Sequence, residues 1–246
     1  MARYDFRTPR LYVSADLGAG VAVSPSDSAA HYLRHVLRLQ SGAKLLVFNG
    51  RDGEWEAELA LASKRGARLE ILKQARAQPA ASTLHYAFAP VKQARFDFVV
   101  QKAVEMGAGR LTPVLTQHTQ VTRVNLERVR ANAVEAAEQC GILALPEIEE
   151  PMPFANWLAG ISPDRVLAFC DEDAEISDPL RALREAPAGA VTLVIGPEGG
   201  FHPKEREALL AHPRVVRLSL GPRILRADTA AVAALAIVQA ARGDWR

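Results

Sequence analysis

Arg223 and Arg226 flank an apolar pair in the run Leu220-Gly221-Pro222-Arg223-Ile224-Leu225-Arg226. Two permanent cations beside Ile224 and Leu225 make an apolar slot for a flat ring, with guanidinium forks that can hold an oxyanion or a phosphate. A purely structural turn rarely needs that mixture. A second run, Ile195-Gly196-Pro197-Glu198-Gly199-Gly200-Phe201, lacks the Gly-Lys-Ser/Thr ending of a P-loop and the spacing of a dinucleotide-binding turn, which disfavours ATP and NAD. It offers bare backbone at Gly199 and Gly200 behind a stiff Pro197. Taken alone, this run reads equally well as a tight turn without a ligand.

The elements that must position these runs are two apolar segments, Val191 to Ile195 and Val215 to Leu220, each read as a buried strand. Loops leaving the carboxyl ends of strands in an open α/β sheet are where such folds bind small molecules, so the two runs predict one site between them. From Leu84 onward strands and helices alternate: strands at 84–90, 111–115, 165–170, 190–195 and 215–220, and helices at 96–106, 126–140, 203–212 and 229–242. This pattern predicts a mostly parallel sheet covered by helices. Gly107 and Gly141 fit left-handed C-caps, Asn125 an N-cap and Pro203 a first helical turn. The last helix is almost all Ala, Val, Leu and Ile, so burial on more than one face is expected, with a symmetric dimer as the commonest solution.

Upstream, residues 10 to 73 read as short strands broken by turns, with Asn49-Gly50-Arg51-Asp52-Gly53 as a hairpin turn. One helix, Ser28 to Leu39, is expected to end at Ser41-Gly42. The polar stretch from Gln74 to Thr83 reads as a linker. The expected architecture is therefore α/β: a small β-barrel over 1–74 and an α/β domain over 80–246.

The chain has 246 residues, 49% of them hydrophobic, enough for one large or two modest cores. Its net charge of +2 is uneven: residues 1–79 carry 12 Lys and Arg against 8 Asp and Glu, and the remainder 18 against 20. A basic N-terminal part is a mild pointer to an anionic partner. The lack of a long apolar run and the polar first ten residues give a cytoplasmic expectation. Cys140 and Cys170 have no paired-ligand spacing and read as buried free thiols, and His31 and His35 lack a third ligand, so no metal is expected.

These runs, taken together, resemble the RsmE family of the SPOUT superfamily. The residues that carry the resemblance are Val194 to Phe201 and Leu218 to Ala230, with Gln101 to Gly107, Thr112-Pro113, Ala137 to Gly141, Pro9-Arg10-Leu11-Tyr12 and His35 to Leu39 in order along the whole chain. Two positions depart from the family pattern: Ile142 stands where arginine is common, and Arg226-Ala227-Asp228-Thr229 replaces Arg-Thr-Glu-Thr. The resemblance implies methylation of uridine N3 in 16S ribosomal RNA on the small subunit, with S-adenosylmethionine as cofactor. It also implies a C-terminal trefoil knot, a homodimer through the knotted region and a PUA-like N-terminal barrel. The barrel and the Pro9 to Tyr12 match argue against the alternative of a ribose 2′-O-methyltransferase. The intact loops argue against a non-catalytic RNA-binding module.

On that reading Gly196, Pro197, Glu198, Gly199, Gly200, Leu220, Gly221, Ile224 and Leu225 line the cofactor pocket, with Phe169 and Cys170 as a third wall leading to Asp171. Arg226 is expected to hold the uracil or its phosphate, and Asp228 or Glu198 to accept the N3 proton. Both carboxylates have structural rivals: loop amides for Glu198, the last helix's N-terminus for Asp228. Arg10, Arg34, Arg38 and Arg223 are the candidate RNA contacts.

Overall fold

In a computed structural model of the chain, residues 7–61, 66–121, 123–174 and 178–245 are described. The chain divides into two units, Met1–Ala80 with Ala137–Leu145, and Ala81–Ala136 with Pro146–Arg246.

The first unit is a five-stranded sheet of β1 (Arg10–Tyr12), β2 (Ala22–Val23), β3 (Lys44–Phe48), β4 (Glu54–Ala60) and β5 (Arg68–Arg76), in the order β1-β3-β4-β5-β2. The β3–β4 hairpin turns at Asn49, whose Oδ1 accepts from the amides of Arg51 and Asp52, each at 2.9 Å. An Asx turn of this kind replaces the ladder bonds that the reversal interrupts. Leu45, Val47, Ala57, Leu59, Leu69 and Ile71 alternate inward to form the core. β5 runs on to Arg76, so residues 74–76, expected as linker, are strand.

The helix expected over Ser28–Leu39 is shorter and irregular. Helix α1 (Asp27–His31), capped by the Ser26 hydroxyl, passes into one π-helical turn, Tyr32–Val36. It stops at Arg38, which takes φ +55°, while the Leu39 amide donates back to the Leu33 carbonyl at 3.0 Å. This is the bonding of a left-handed C-terminal cap, and its usual glycine is absent. Ser41-Gly42 therefore lies beyond the helix end.

The second unit carries a sheet of β6 (His85–Phe88), β7 (Arg110–Leu115), β8 (Glu147–Ile148), β10 (Val166–Cys170), β11 (Val191–Ile195) and β12 (Val215–Leu218), ordered β12-β10-β11-β6-β7-β8, with β9 (Met152–Pro153) also paired to β7. All its pairings are parallel. β10 and β11 are apolar along almost every residue because both faces are covered. The helices are α2 (Gln93–Glu105), α3 (Leu126–Cys140), α4 (Phe154–Ala159), α5 (Pro179–Glu185), α6 (Pro203–Leu210) and α7 (Ala227–Arg242).

Asn125 Oδ1 caps α3 through the Arg128 amide, and α6 starts at Pro203 behind a His202–Glu205 capping box. The short α4 and α5 lie outside the helices read from the sequence. α7 packs on α2, α5 and β11 through Ala230, Ala231, Ala234, Leu235 and Val238, leaving Val232, Ala233, Ala236, Ile237 and Ala240 half-buried. Among the described residues no helix is long and apolar enough to cross a membrane.

Candidate functional site

Because β10 lies between β11 and β12 and all three run parallel, their carboxyl ends share one edge of the sheet. The segments leaving that edge enclose a pocket of about 650 Å³. Its size falls within the range of small-molecule sites. The β10 end contributes Phe169, Cys170 and Asp171; the β11 loop Gly196, Pro197, Glu198 and Gly200; the β12 loop Leu220, Gly221, Arg223, Ile224 and Leu225. Ten of the eleven residues expected for the cofactor meet there. The exception is Gly199, whose carbonyl is turned to His118.

The glycines of the β11 loop have different causes. A Cβ on Gly196 would stand 2.7 Å from Phe201 Cε2, so this position makes room for a ring that packs edge-on against Phe169 with centroids 5.4 Å apart. Gly200 has φ +68°, and its amide donates to the Pro197 carbonyl at 2.9 Å, closing the turn. Such a φ strains any side chain with a Cβ.

The β10 wall is held by an ion cluster that sequence reasoning missed. Asp171, 4% exposed, accepts from Arg206 Nε and Nη2 at 3.1 and 2.9 Å and from Arg217 Nε at 2.7 Å. Burial alone would raise its carboxyl, but these guanidiniums and the Asp173 amide outweigh it and hold it below the ordinary value. The neighbouring Glu172 and the facing Glu207 line the same pocket with exposed carboxylates. Cys170 is half-buried, and burial pushes its thiol up to about 12, so it is a neutral wall and no nucleophile. Cys140, expected inside, is exposed at the end of α3.

The proposed acid–base residues are less gathered. Glu198 Oε1 accepts from Arg95 Nη1 at 2.7 Å, an ion pair in place of the loop amides weighed for it. Asp228 lies in the first turn of α7, where its Oδ1 accepts from the Thr229 amide at 2.9 Å, and it is not among the pocket-lining residues. A carboxylate there complements the helix N-terminus. Arg226 is the exposed N-cap residue of α7, and neither it nor the exposed Arg223 makes an ion pair among the described residues.

Of the arginines expected to meet RNA, Arg38 is exposed, and Arg34 is half-buried with Nη2 donating to the Gly66 carbonyl at 3.0 Å. Arg10 is a correction: it is buried in the first unit, with Nε donating to Glu54 at 2.6 Å. The matched Pro9 to Tyr12 run is strand β1; Leu11 faces the core, and Arg10, paired with Leu46 on the opposite face of the sheet, is buried there against Glu54. The His31 and His35 rings lie side by side, tilted by 38° with centroids 4.5 Å apart.

The RNA methyltransferase domain family matches residues 78–239, and the RNA methyltransferase PUA domain family residues 25–72. The chain is 32% identical to the ribosomal RNA small subunit methyltransferase E of Rickettsia conorii, over 94% of each chain. It is 33% identical to the protein of that name from Synechocystis, over 94% of this chain and 77% of that one. Among solved structures it is similar to the ribosomal RNA small subunit methyltransferase E of Neisseria gonorrhoeae bound to S-adenosylmethionine, with TM-score 0.87 and 26% identity over 98% of this chain and all of that one. A methyltransferase of Legionella pneumophila solved with the same cofactor gives TM-score 0.82 and 30% identity, over 96% and 98%.

Proposed function

The chain belongs to the ribosomal RNA small subunit methyltransferase E family, and from that membership we propose that it methylates N3 of one uridine in 16S ribosomal RNA, using S-adenosylmethionine. The observation that carries the reading is the pocket at the β10, β11 and β12 ends, in a chain that aligns along nearly its full length with relatives holding this cofactor.

The pocket residues fit the cofactor. Phe169, Ile195, Leu218 and Leu225 offer an apolar bed for an adenine ring, and Glu172 and Glu207 offer carboxylates to hydroxyl and cationic groups. Gly221, at φ +94° with open space where a Cβ would stand, leaves backbone free to approach a ligand. S-adenosylmethionine supplies a methyl group already activated on a sulfonium centre, so the protein's contribution is chiefly alignment of the nucleophile.

Arg223, an exposed cation of the pocket lining, and Arg226, exposed at the start of α7 beside the lining residue Ala227, hold the uracil and the adjacent phosphate and favour the anion that N3 becomes on losing its proton. Of the carboxylates near the site, we assign that proton to Glu198, which lines the pocket, or to Asp228, in the first turn of α7. Arg38 and Arg34 contribute phosphate contacts from the first unit. The half-buried apolar face of α7 fits a symmetric pairing of two knotted domains in a cytoplasmic enzyme.

The test is incubation of the purified protein and labelled S-adenosylmethionine with small ribosomal subunits from cells lacking this gene, followed by mass spectrometry of the RNA. Label recovered as 3-methyluridine in 16S RNA is the expected result. Label on a ribose, or none, rejects the uracil assignment.

A further inference from the structure

The loop after β7 is fastened to the glycine turn of the pocket. Within it, Thr116 and Thr119 tie a tight turn: the Thr116 amide donates to Thr119 Oγ1 at 2.9 Å and the Thr119 amide to the Thr116 carbonyl at 3.1 Å. Between them Gln117 donates its amide to Glu205 Oε1 at 2.9 Å, and Glu205 Oε2 accepts from the His202 amide at 3.0 Å. His118 completes the junction, its Nδ1 lying 3.1 Å from both the Gly199 and Gly200 carbonyl oxygens. Its ring also stands edge-on to His202, with centroids 6.1 Å apart.

Two carbonyl oxygens can only accept, so Nδ1 must carry hydrogen and donate to both, and the neutral ring is fixed as the Nδ1–H tautomer. Protonation leaves that hydrogen in place, so the contact needs no charge. Gly200 is a pocket-lining residue at φ +68°, in a turn closed by a single backbone bond to Pro197. The β12 loop opposite has no comparable tether among the described residues: Gly221 has open space beside it and Ile224 is 95% exposed.

We infer that His118 is a positioning residue for the cofactor pocket: its Nδ1–H clamps the Gly199 and Gly200 carbonyls and fixes the peptide planes that one wall presents to S-adenosylmethionine. The inference rests on the cofactor reading above. His118 touches neither reacting atom, and its effect is on cofactor binding.

Variants that mimic one ring nitrogen at a time test it. Asparagine places its amide N–H groups near the position of Nδ1, whereas glutamine places them near Nε2. With full-length protein and S-adenosylmethionine in a calorimetric titration, His118→Asn should bind within about twofold of the wild type, while His118→Gln and His118→Ala weaken binding about five- to tenfold. Methylation of small subunits should show the same ordering in the KM for the cofactor, with kcat at saturating cofactor little changed. An alanine variant that binds as tightly as the wild type, or rescue by glutamine in place of asparagine, overturns the clamp.

Nitrogen-15 NMR of the His118 ring gives a readout independent of activity. The Nδ1–H tautomer is expected, and the Nε2–H tautomer overturns the inference even if the protein proves to bind no S-adenosylmethionine. Failure of the wild type to bind the cofactor, with the Nδ1–H tautomer present, faults the proposed function and leaves the clamp standing as a contact of the loop.

Discussion

Arg10 Nε and Glu54 Oε1 meet at 2.6 Å, with side chains only 5% and 2% exposed. Arg76 donates Nε to the other oxygen, Oε2, at 2.6 Å and Nη2 to Oε1 at 2.9 Å. Burial alone would raise the Glu54 carboxyl, and the hydrogen bonds from Arg76 and Arg10 hold it below its ordinary value instead. Arg10→Ala should cost about 3 kcal/mol of stability in urea unfolding, because a buried carboxylate loses half its compensation. Glu54's contribution is complete above its unfolded value near 4.5 and lost as pH falls through the lower folded value, so removing Arg10 should move acid unfolding to higher pH. An unchanged midpoint together with weakened RNA binding would return Arg10 to the RNA surface.

Arg38 is the better candidate for that surface, since it is exposed and has no ion pair among the described residues. Its φ of +55° makes the choice of substitution matter, because asparagine tolerates the left-handed region and alanine does not. Arg38→Asn should leave S-adenosylmethionine affinity unchanged and lower the slope of log K against log salt for ribosomal RNA by about one. The same slope in variant and wild type would remove Arg38 from the interface.

Arg226 and Asp228 can be separated by kinetics. Arg226→Ala should leave cofactor binding intact and reduce methylation by about a hundredfold, since its cation acts on charge that develops only on the substrate. Asp228→Asn tests whether the carboxylate does more than meet the α7 amides: a helix-terminal role predicts a stability loss of about 0.5–1 kcal/mol and near-normal kcat. A kcat loss as large as that of Arg226→Ala would instead identify Asp228 as the proton acceptor.

The β10 and β11 walls were legible because buried parallel strands write themselves as unbroken apolar runs, and the Gly-Pro pairs that follow β11 and β12 mark loops leaving the sheet; β12, expected buried to Leu220, is instead a half-buried edge strand that carries Arg217 and ends at Leu218. What escaped was held together across long sequence separations. Asp171 finds its partners 35 and 46 residues later, and Arg95 finds Glu198 after 103, with no local pattern to announce either. His118 was invisible for the same reason. The early end of the first helix was hidden differently, since Arg38 occupies a cap that glycine or asparagine would have advertised. Helix α5 did carry a readable signal, the Asp178-Pro179 start in which Asp178 Oδ1 accepts from the Leu180 and Arg181 amides.

At the amino end of the same sheet, His85 gives the fold an acid-sensitive point. Burial, with Arg165 and Arg110 nearby, pushes its imidazole down to about 4. Between about 6.5, its unfolded value, and 4, the unfolded chain binds a proton that the folded chain does not, so stability is full above that window and falls as pH drops through it. The ring is partly solvated, so the loss should be about 1–2 kcal/mol, less than the full linkage value. His85→Asn should flatten urea-unfolding stability across this window, and an unchanged slope would assign the acid sensitivity to other groups.

The three loop glycines should respond to alanine in a fixed order. At Gly196 the added Cβ comes 2.7 Å from Phe201 Cε2, and that ring is hemmed by Phe169 and Phe154, with centroids at 5.4 and 6.0 Å. It cannot withdraw without moving the core or entering the pocket, so Gly196→Ala should cost about 1–3 kcal/mol and weaken S-adenosylmethionine binding severalfold. At Gly200 the Cβ meets only the mobile end of Glu172, at 2.8 Å, so the cost is the positive φ, about 1 kcal/mol. Gly199 has neither obstacle, its added Cβ standing at an ordinary 3.5 Å from His118 Cβ. Gly199→Ala should therefore match the wild type in thermal midpoint and cofactor affinity. A loss at Gly199 equal to that at Gly196 would mean that the bound ligand approaches this backbone far more closely than the pocket geometry implies.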